Sequence, residues 1–587
     1  MTKSAIDGAV ENYLAELAQI ATGHDRARVI AAVAKSVGAV PDLWLGKPIA
    51  EVPESPQNVD GADLIGLALQ AITDSKTRSS GGLFYTPRAV ADAIVSEAFR
   101  DHPLDGTVCD PTCGGGSFLL AAARWAHARG VERCAAVERV RGIDIDPVAA
   151  GACRTALGLW AGVDPASISV VAGDGFEVEQ SLGDLGPPFD AVVGNPPFQS
   201  QLGGSTVRSA EATAALRERF GAAVRPYVDT GALFLLEALD LVNPSGVVAM
   251  IVPLSVLATR DVEPIRRIVT DRSALSAVWV ATGAGFDAKV NVCAVVLRIG
   301  AVARSVRRLD GAVPEFEREV PIPEPPWQWS EFAADQLGVP QVLIRSETTL
   351  RTMVTATAGF RDEYYALAAS VVEGVVDDSR PRLITSGLVE VLESRWGIDE
   401  ARFAKQKWRY PVVDPTRFAA QPKRLRRWLE NRLVPKLLVA TQTRTIEAIP
   451  DLAGQLAPIT PVISVEVDPN QLWLVAAVLT NPISSIVALR RTAGSARSAK
   501  AIKLSARQLL DLPLPIHNAL WDEGAALAEA VAKLRPDGSG LAKVEMLTEL
   551  GKVMCGAYGV EPDEPFSWWS ESLGFADVVR SNSDQTE

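Results

Sequence analysis

Four adjacent residues, Asn195-Pro196-Pro197-Phe198, close the apolar run 191–193 and carry groups suited to one piece of chemistry. Two prolines fix the backbone and remove two N–H donors, so the carbonyls there turn away from a sheet ladder. The Asn195 amide oxygen and the Pro196 carbonyl can then both accept from one planar NH2 group, and Phe198 offers a face to the same ring. Alone, the tetrapeptide also fits a proline-stiffened loop with a core aromatic. Its company upstream weighs against that. Asp110-Pro111-Thr112-Cys113-Gly114-Gly115-Gly116 follows a short apolar run, and glycines in that place permit a tight turn and close approach of a ligand. Asp144 ends the next run, where a carboxylate can accept from ribose hydroxyls, and Asp174 repeats the arrangement. Each is by itself an ordinary turn former or helix cap. Three acidic tips in succession before Asn195 describe a crevice for a nucleoside-shaped ligand beside a seat for a planar amine. GxGxxG and Walker A patterns are both absent.

The elements that must hold these residues are legible as periodicity. Short β-branched runs at 106–109, 140–145, 169–172, 191–193, 247–252, 277–280 and 292–297 alternate with Ala/Leu-rich helical stretches, the pattern of a parallel α/β sheet. Ahead of them, residues 1–75 read as a helical segment, and 76–310 form the α/β domain. Residues 311–339 hold Pro314, Pro321, Pro323, Pro325 and Pro326 among glutamates, which reads as an extended linker. Residues 340–515 mix strand and helix patterns as an α+β domain, 516–575 read as helical, and 576–587 as a disordered tail.

The 587 residues are 48 % hydrophobic and 22 % charged, an ordinary globular balance. Six cysteines form no CxxC pair and four histidines lie far apart, so neither a zinc site nor a disulfide framework is expected. No run of about 18 apolar residues occurs, so no membrane span is expected, and the N-terminus lacks a signal pattern, which places the protein in the cytoplasm. A net charge of −13 argues against nucleic acid until its distribution is read. Residues 402–444 carry twelve Lys/Arg against two acids, with Lys423-Arg424-Leu425-Arg426-Arg427-Trp428 at the centre, and 490–507 carry six more with none. Such segments fit phosphate tracking or a solvated helix face.

With these motifs in this order, the chain resembles the S-adenosylmethionine-dependent amino-group DNA methyltransferases of the adenine-N6 type, gamma arrangement, as in type I modification subunits and type IIG enzymes. The resemblance implies a Rossmann-like methyltransferase sheet with an N-terminal helical segment and a C-terminal α+β target-recognition domain. It implies S-adenosylmethionine as cofactor, without a metal, held by Tyr85, Thr86 and Pro87, by Asp110, Pro111, Cys113, Gly114 and Gly116, by Asp144 at the ribose, by Ile145 at the adenine and by Asp174 and Gly175 at the adenine amine. Gly175 departs from relatives that carry an aromatic there, and Phe176 is the expected substitute. Asn195, Pro196, Pro197 and Phe198 become the catalytic motif, with Asn195 also beside the cofactor. Phe286 and Lys289 are expected at a flipped base and its DNA, and Lys423, Arg424, Arg426 and Arg427 at phosphates. Double-stranded DNA is the implied partner, in restriction-modification, phage defence or orphan epigenetic methylation. A separate restriction or defence subunit is compatible with this, and no membrane is expected. Type IIG relatives carry a nuclease ahead of the methylase; the roughly 80 residues here are too few and too helical, so modification without cleavage by this chain is expected. The alternatives are a methyltransferase for RNA bases or protein glutamine, and a non-catalytic DNA-binding subunit of a defence complex.

Overall fold

The computed structural model describes residues 3–73, 86–101, 106–199, 209–281, 291–359, 361–441, 443–494, 502–534 and 540–578. It divides into two compact units, Met1–Phe332 and Ala333–Glu587.

The first unit is built on a sheet ordered β3-β2-β1-β4-β5-β7-β6-β8-β9. Strands β1 (Val108–Asp110), β2 (Val140–Asp144), β3 (Val170–Ala172), β4 (Phe189–Gly194) and β5 (Val242–Pro253) are parallel neighbours. β6 (Ser273–Val280) and β7 (Val292–Ile299) complete the core of the sheet, with β7 antiparallel to both β5 and β6. Seven strands therefore lie where the β-branched runs placed them. Strands this apolar on both faces need helices on both, and the Ala/Leu-rich segments supply them. Val108 pairs with Val140 on one side and Ala191 on the other, so chain order reverses at β1. In open α/β sheets a ligand crevice opens at such a reversal, outside the carboxyl ends of the strands.

The segment expected as a linker is corrected in part. β8 (Ser305–Asp310) and β9 (Glu315–Pro321) form a hairpin that extends the sheet, and Glu315–Pro321 is its edge strand. The strand reads as polar because its residues are almost all exposed and pair by charge: Arg308 meets Glu317 at 2.9 Å and Arg307 meets Glu319 at 3.7 Å. An edge also tolerates proline at its ends, which hid the strand in a Pro/Glu-rich sequence.

Helices Lys3–Ala21, Arg26–Ser36 and Gly61–Ile72 are continuous with this domain rather than a module apart. Tyr13, Leu17, Ile30, Leu64, Ile65 and Leu69 join Ala150, Leu157 and Val170 in one hydrophobic core. Polar ties reinforce it: Asp42 pairs with Arg154 at 3.0 Å, and Asp63 with Arg124 at 3.0 Å.

The second unit holds one four-stranded sheet of Val354–Ala358, Ile463–Val467, Lys436–Ala440 and Glu447–Asp451, a second of Val371–Glu373, Pro411–Val413, Arg382–Ile384 and Leu456–Pro458, and two hairpins, one of them β15 (Ala401–Phe403) with β16 (Gln406–Trp408). The helices expected as a C-terminal segment belong to the same unit. Trp521 of helix Ala519–Lys533 donates its indole N–H to the Leu474 carbonyl at 3.0 Å, and the Tyr558 hydroxyl donates to the Pro513 carbonyl at 2.9 Å. Among the described residues no single helix is long and apolar enough to cross a membrane.

Candidate active site

The carboxyl ends of β1 to β4 open on a cavity of about 1040 Å3. Its wall includes Thr86, Asp110, Pro111, Cys113, Gly114, Asp144, Ile145, Asp174, Gly175, Asn195 and Pro197. Eleven of the expected site residues thus meet at one place. Tyr85, Phe286 and Lys289 lie outside the described residues.

The glycine loop divides its labour. Gly114, at φ 52°, has nothing within 4 Å of where a Cβ would stand, so its backbone lies open to a ligand. Gly115 serves packing: a Cβ there would lie 2.7 Å from the Gly66 Cα in helix Gly61–Ile72. Gly116, at φ 92°, is the left-handed residue that starts helix Ser117–His127, and Cys113 donates its N–H to the Ile143 carbonyl at 2.8 Å. Gly175 is explained by the same means. A Cβ would stand 2.2 Å from the Pro111 carbonyl oxygen, so no aromatic fits. Phe176 faces the cavity instead and stacks on Phe234, with centroids 4.1 Å apart.

The acidic tips differ in state. Asp144 is buried; its Oδ2 accepts from Gly114 N–H at 2.8 Å and its Oδ1 from Asp146 N–H at 2.9 Å. Burial nevertheless pushes its carboxyl up to about 6. Asp110 accepts from Thr112 N–H at 3.0 Å and is pushed up to about 7, by burial first and then by Asp144. Asp174 is exposed and caps its own turn by accepting from Phe176 N–H at 2.9 Å. Ile145 beside Asp144 is 77 % exposed although apolar, a free face on the cavity wall.

Asn195 follows β4, and its Nδ2 donates to Thr86 Oγ1 at 3.1 Å, which joins the segment before the first core helix to the tip of the fourth strand. Phe198 is placed otherwise than a stacking face requires. It is 6 % exposed and belongs to the hydrophobic core, close to Gly231.

Residues 66–308 match the family model described as N-6 DNA methylase. This segment is an N-6 DNA methylase domain. It begins at Gly66, the glycine that touches the loop. The chain is 26 % identical over 193 residues to Type II methyltransferase M.VspI of Vibrio sp. (strain 343), across 32 % of this chain and 41 % of that protein. It is 24 % identical over 200 residues to Type II methyltransferase M.CvrRI of Paramecium bursaria Chlorella virus XZ-6E, across 33 % of this chain and 42 % of that protein. The match therefore spans about two fifths of each curated relative's length. In fold the chain is similar to the Type IIL restriction-modification enzyme MmeI, solved in complex with DNA, with a TM-score of 0.57 at 14 % identity over 94 % of this chain and 91 % of that one. The family and its fold imply S-adenosylmethionine as cofactor.

Several lining residues of the methylase domain escaped sequence reasoning. Arg26, some 120 positions before its partner, forms an ion pair with Asp146 and lines the cavity beside Asp144. Glu237, on helix Thr230–Leu241, is buried at the cavity wall and pairs with Arg219 at 2.7 Å. Burial pushes its carboxyl up to about 7 although Arg219 pulls the other way. Arg219 also donates to the Phe176 carbonyl at 2.7 Å, which ties helix Ala210–Phe220 to the aromatic pair. A buried glutamate inside an apolar helix, Leu235-Leu236-Glu237-Ala238, was the available signal.

In the second unit, helix Lys423–Glu430 buries Leu425, Trp428 and Leu429 and exposes Lys423, Arg424, Arg426 and Arg427. Arg490 of the second basic segment is buried, paired with Asp335 at 2.8 Å and bonded to the Val339 carbonyl at 2.8 Å, so it is a structural cation.

Proposed function

We propose that this protein transfers a methyl group from S-adenosylmethionine to the exocyclic amine of adenine in a specific sequence of duplex DNA. The observation that carries the reading is that Asn195, at the end of β4 in an N-6 DNA methylase domain, opens on the same cavity as Asp110, Gly114 and Asp144. The residues fit the cofactor. Gly114 leaves its backbone open, Asp144 offers a carboxylate to the ribose, Ile145 offers an apolar face to the adenine, and Phe176 with Phe234 forms an aromatic wall. The cofactor supplies a sulfonium-activated methyl group, so no Lewis acid is needed to activate it.

The chain's own residues position the acceptor. An aromatic amine is a weak nucleophile because its lone pair is delocalised. Accepting its two N–H bonds at the Asn195 amide oxygen and the Pro196 carbonyl favours rehybridisation and stabilises the positive charge that develops, and the methylated amine then loses its extra proton to solvent. Thr86 holds the Asn195 amide from its Nδ2 side, which turns Oδ1 the other way. A duplex base must leave the stack to arrive there, at a cost of about a few kcal/mol. Phe198, packed in the core, braces the loop in this arrangement. The exposed cations of helix Lys423–Glu430 hold phosphates.

Labelled methyl transfer to duplex DNA, RNA and protein in parallel, followed by nucleoside and amino-acid analysis, tests the reading. Label in N6-methyladenine of duplex DNA is expected. Label confined to RNA or to glutamine would replace the acceptor, and no label in any of them would favour a non-catalytic DNA-binding subunit.

A further inference from the structure

Two basic elements of the second unit rise from one small core. Phe403 of β15 and Leu425, Trp428 and Leu429 of helix Lys423–Glu430 are buried in the same cluster. The hairpin pairs Ala401 with Trp408, Arg402 with Lys407 and Phe403 with Gln406, so Ala404 and Lys405 alone connect its strands. Alternation along a strand sends Ala401 and Phe403 inward and sets Arg402 and Lys407 directly opposite each other, both exposed. Like charges so placed destabilise a strand pair. The turn carries a second cost. Ala404 at φ 52° and Lys405 at φ 64° occupy left-handed backbone that a two-residue hairpin demands and that Asn-Gly adopts readily. One acid answers the cations: Glu400 meets Lys407 at 2.8 Å, and its carboxyl is held below the usual range by Lys407 first, then by Arg409 and Arg402. The mount is firm, since the Trp408 indole N–H donates to the Phe403 carbonyl at 3.0 Å and the Tyr364 ring meets Phe403 edge-on at 5.2 Å.

Folding explains neither the charge pair nor the lysine at the turn; a polyanion with a groove explains both. We propose that the hairpin Ala401–Trp408 is a reading element for duplex DNA, with Arg402 and Lys407 on phosphates flanking the major groove and Lys405 at base edges. The proposal rests on the duplex-DNA reading above. A major groove about 12 Å wide and 8.5 Å deep admits a two-stranded ribbon. With Ala401 and Phe403 buried and Ala404 packed against the core, the ribbon presents one face, and the exposed Lys405 side chain at its turn, flanked by Arg402 and Lys407, is the part that enters the groove. The deep, narrow major groove of duplex RNA does not admit such an element.

The test uses the full chain and three variants: R402Q/K407Q, K405Q, and A404N/K405G, which replaces the turn with residues suited to its backbone. All should melt close to the wild-type temperature: R402Q/K407Q removes the opposed charges together with an exposed ion pair to Glu400, K405Q changes only an exposed side chain, and A404N/K405G relieves the turn. R402Q/K407Q should bind all duplexes more weakly and lower the log–log salt slope by about 1.8, at about 0.9 per phosphate. K405Q and A404N/K405G should keep that slope but relax the sequence motif that is methylated on a mixed DNA substrate. Wild-type slope and wild-type motif in variants that melt normally would overturn the hairpin assignment while leaving the methyltransferase reading intact. Equal competition by duplex RNA, lost in R402Q/K407Q, would also overturn it. A wild-type protein that neither binds nor methylates duplex DNA would overturn both.

Discussion

In the first unit three carboxylates of the cavity wall, Asp110, Asp144 and Glu237, are almost wholly buried, whereas in the second the cations of helix Lys423–Glu430 and of the β15–β16 hairpin stand in solvent. The contrast matches two kinds of ligand. A small cationic cofactor is best held where desolvation makes each carboxylate count, at the cost of raised carboxyl pKa values. A polyanion is best held by exposed cations that exchange condensed counterions for phosphates. The same logic makes the first unit sensitive to pH and the second to salt.

The largest expected effect would break the packing that joins the N-terminal helices to the glycine loop. Gly115→Ala places a methyl group 2.7 Å from the Gly66 Cα, backbone against backbone. Overpacking of this kind costs ~1–3 kcal/mol, so a clear fall in melting temperature together with lost cofactor binding is expected. An unchanged melting curve would show that the N-terminal helix is loosely held. Next, reversing Arg424, Arg426 and Arg427 to Glu should weaken binding to all duplexes alike and flatten the salt slope, while cofactor affinity stays at the wild-type value. Fluorescence anisotropy at several salt concentrations reads the first effect and calorimetry the second.

Asp144→Ala should lower cofactor affinity by ~1–3 kcal/mol, the range for a charged hydrogen-bond acceptor. Its pH dependence sharpens the comparison. Burial raises Asp144 to about 6 and Asp110 to about 7, so above about pH 4 the folded protein keeps protons that the unfolded chain releases. The contribution of these two groups to stability is then greatest below that range and falls as pH rises through 6 to 7. Cofactor affinity runs the other way, because the cationic ligand favours ionised carboxylates. Ionisation of Asp144 alone is expected to give a gain of roughly fourfold between pH 5.5 and 8, Asp110 adds to it, and Asp144→Asn should remove the first part. The smallest effect is that of Arg26→Ala. Arg26 lowers the Asp144 carboxyl and pairs with Asp146, so its loss should weaken cofactor binding a few-fold and move the midpoint of the pH profile upward. Calorimetric titrations across pH measure both.

How far the sequence foretold this varies with the distance over which residues act. Seven strands and the tips Asp110, Asp144, Asp174 and Asn195 were legible because β-branched runs end, within a few positions, in residues that line the cavity. Arg26 beside Asp146 and Gly66 against Gly115 were not, since only the folded chain brings such distant segments together. Glu315–Pro321 was misread because an exposed edge strand carries the composition of a linker. Phe198 was expected as a free face; the core took it, as apolar rings at the end of a buried strand are drawn inward. Gly175 looked like a missing contact until its distance to the Pro111 carbonyl showed that no side chain fits.

The most direct test of the central claim, that the cavity separates cofactor binding from amine activation at Asn195, is a paired measurement on Asn195→Ala: calorimetry with S-adenosylmethionine and single-turnover methyl transfer to duplex DNA. Cofactor affinity within a few-fold of wild type, with transfer slowed by about 10²–10³ or more, is the predicted result. Transfer at the wild-type rate would contradict it.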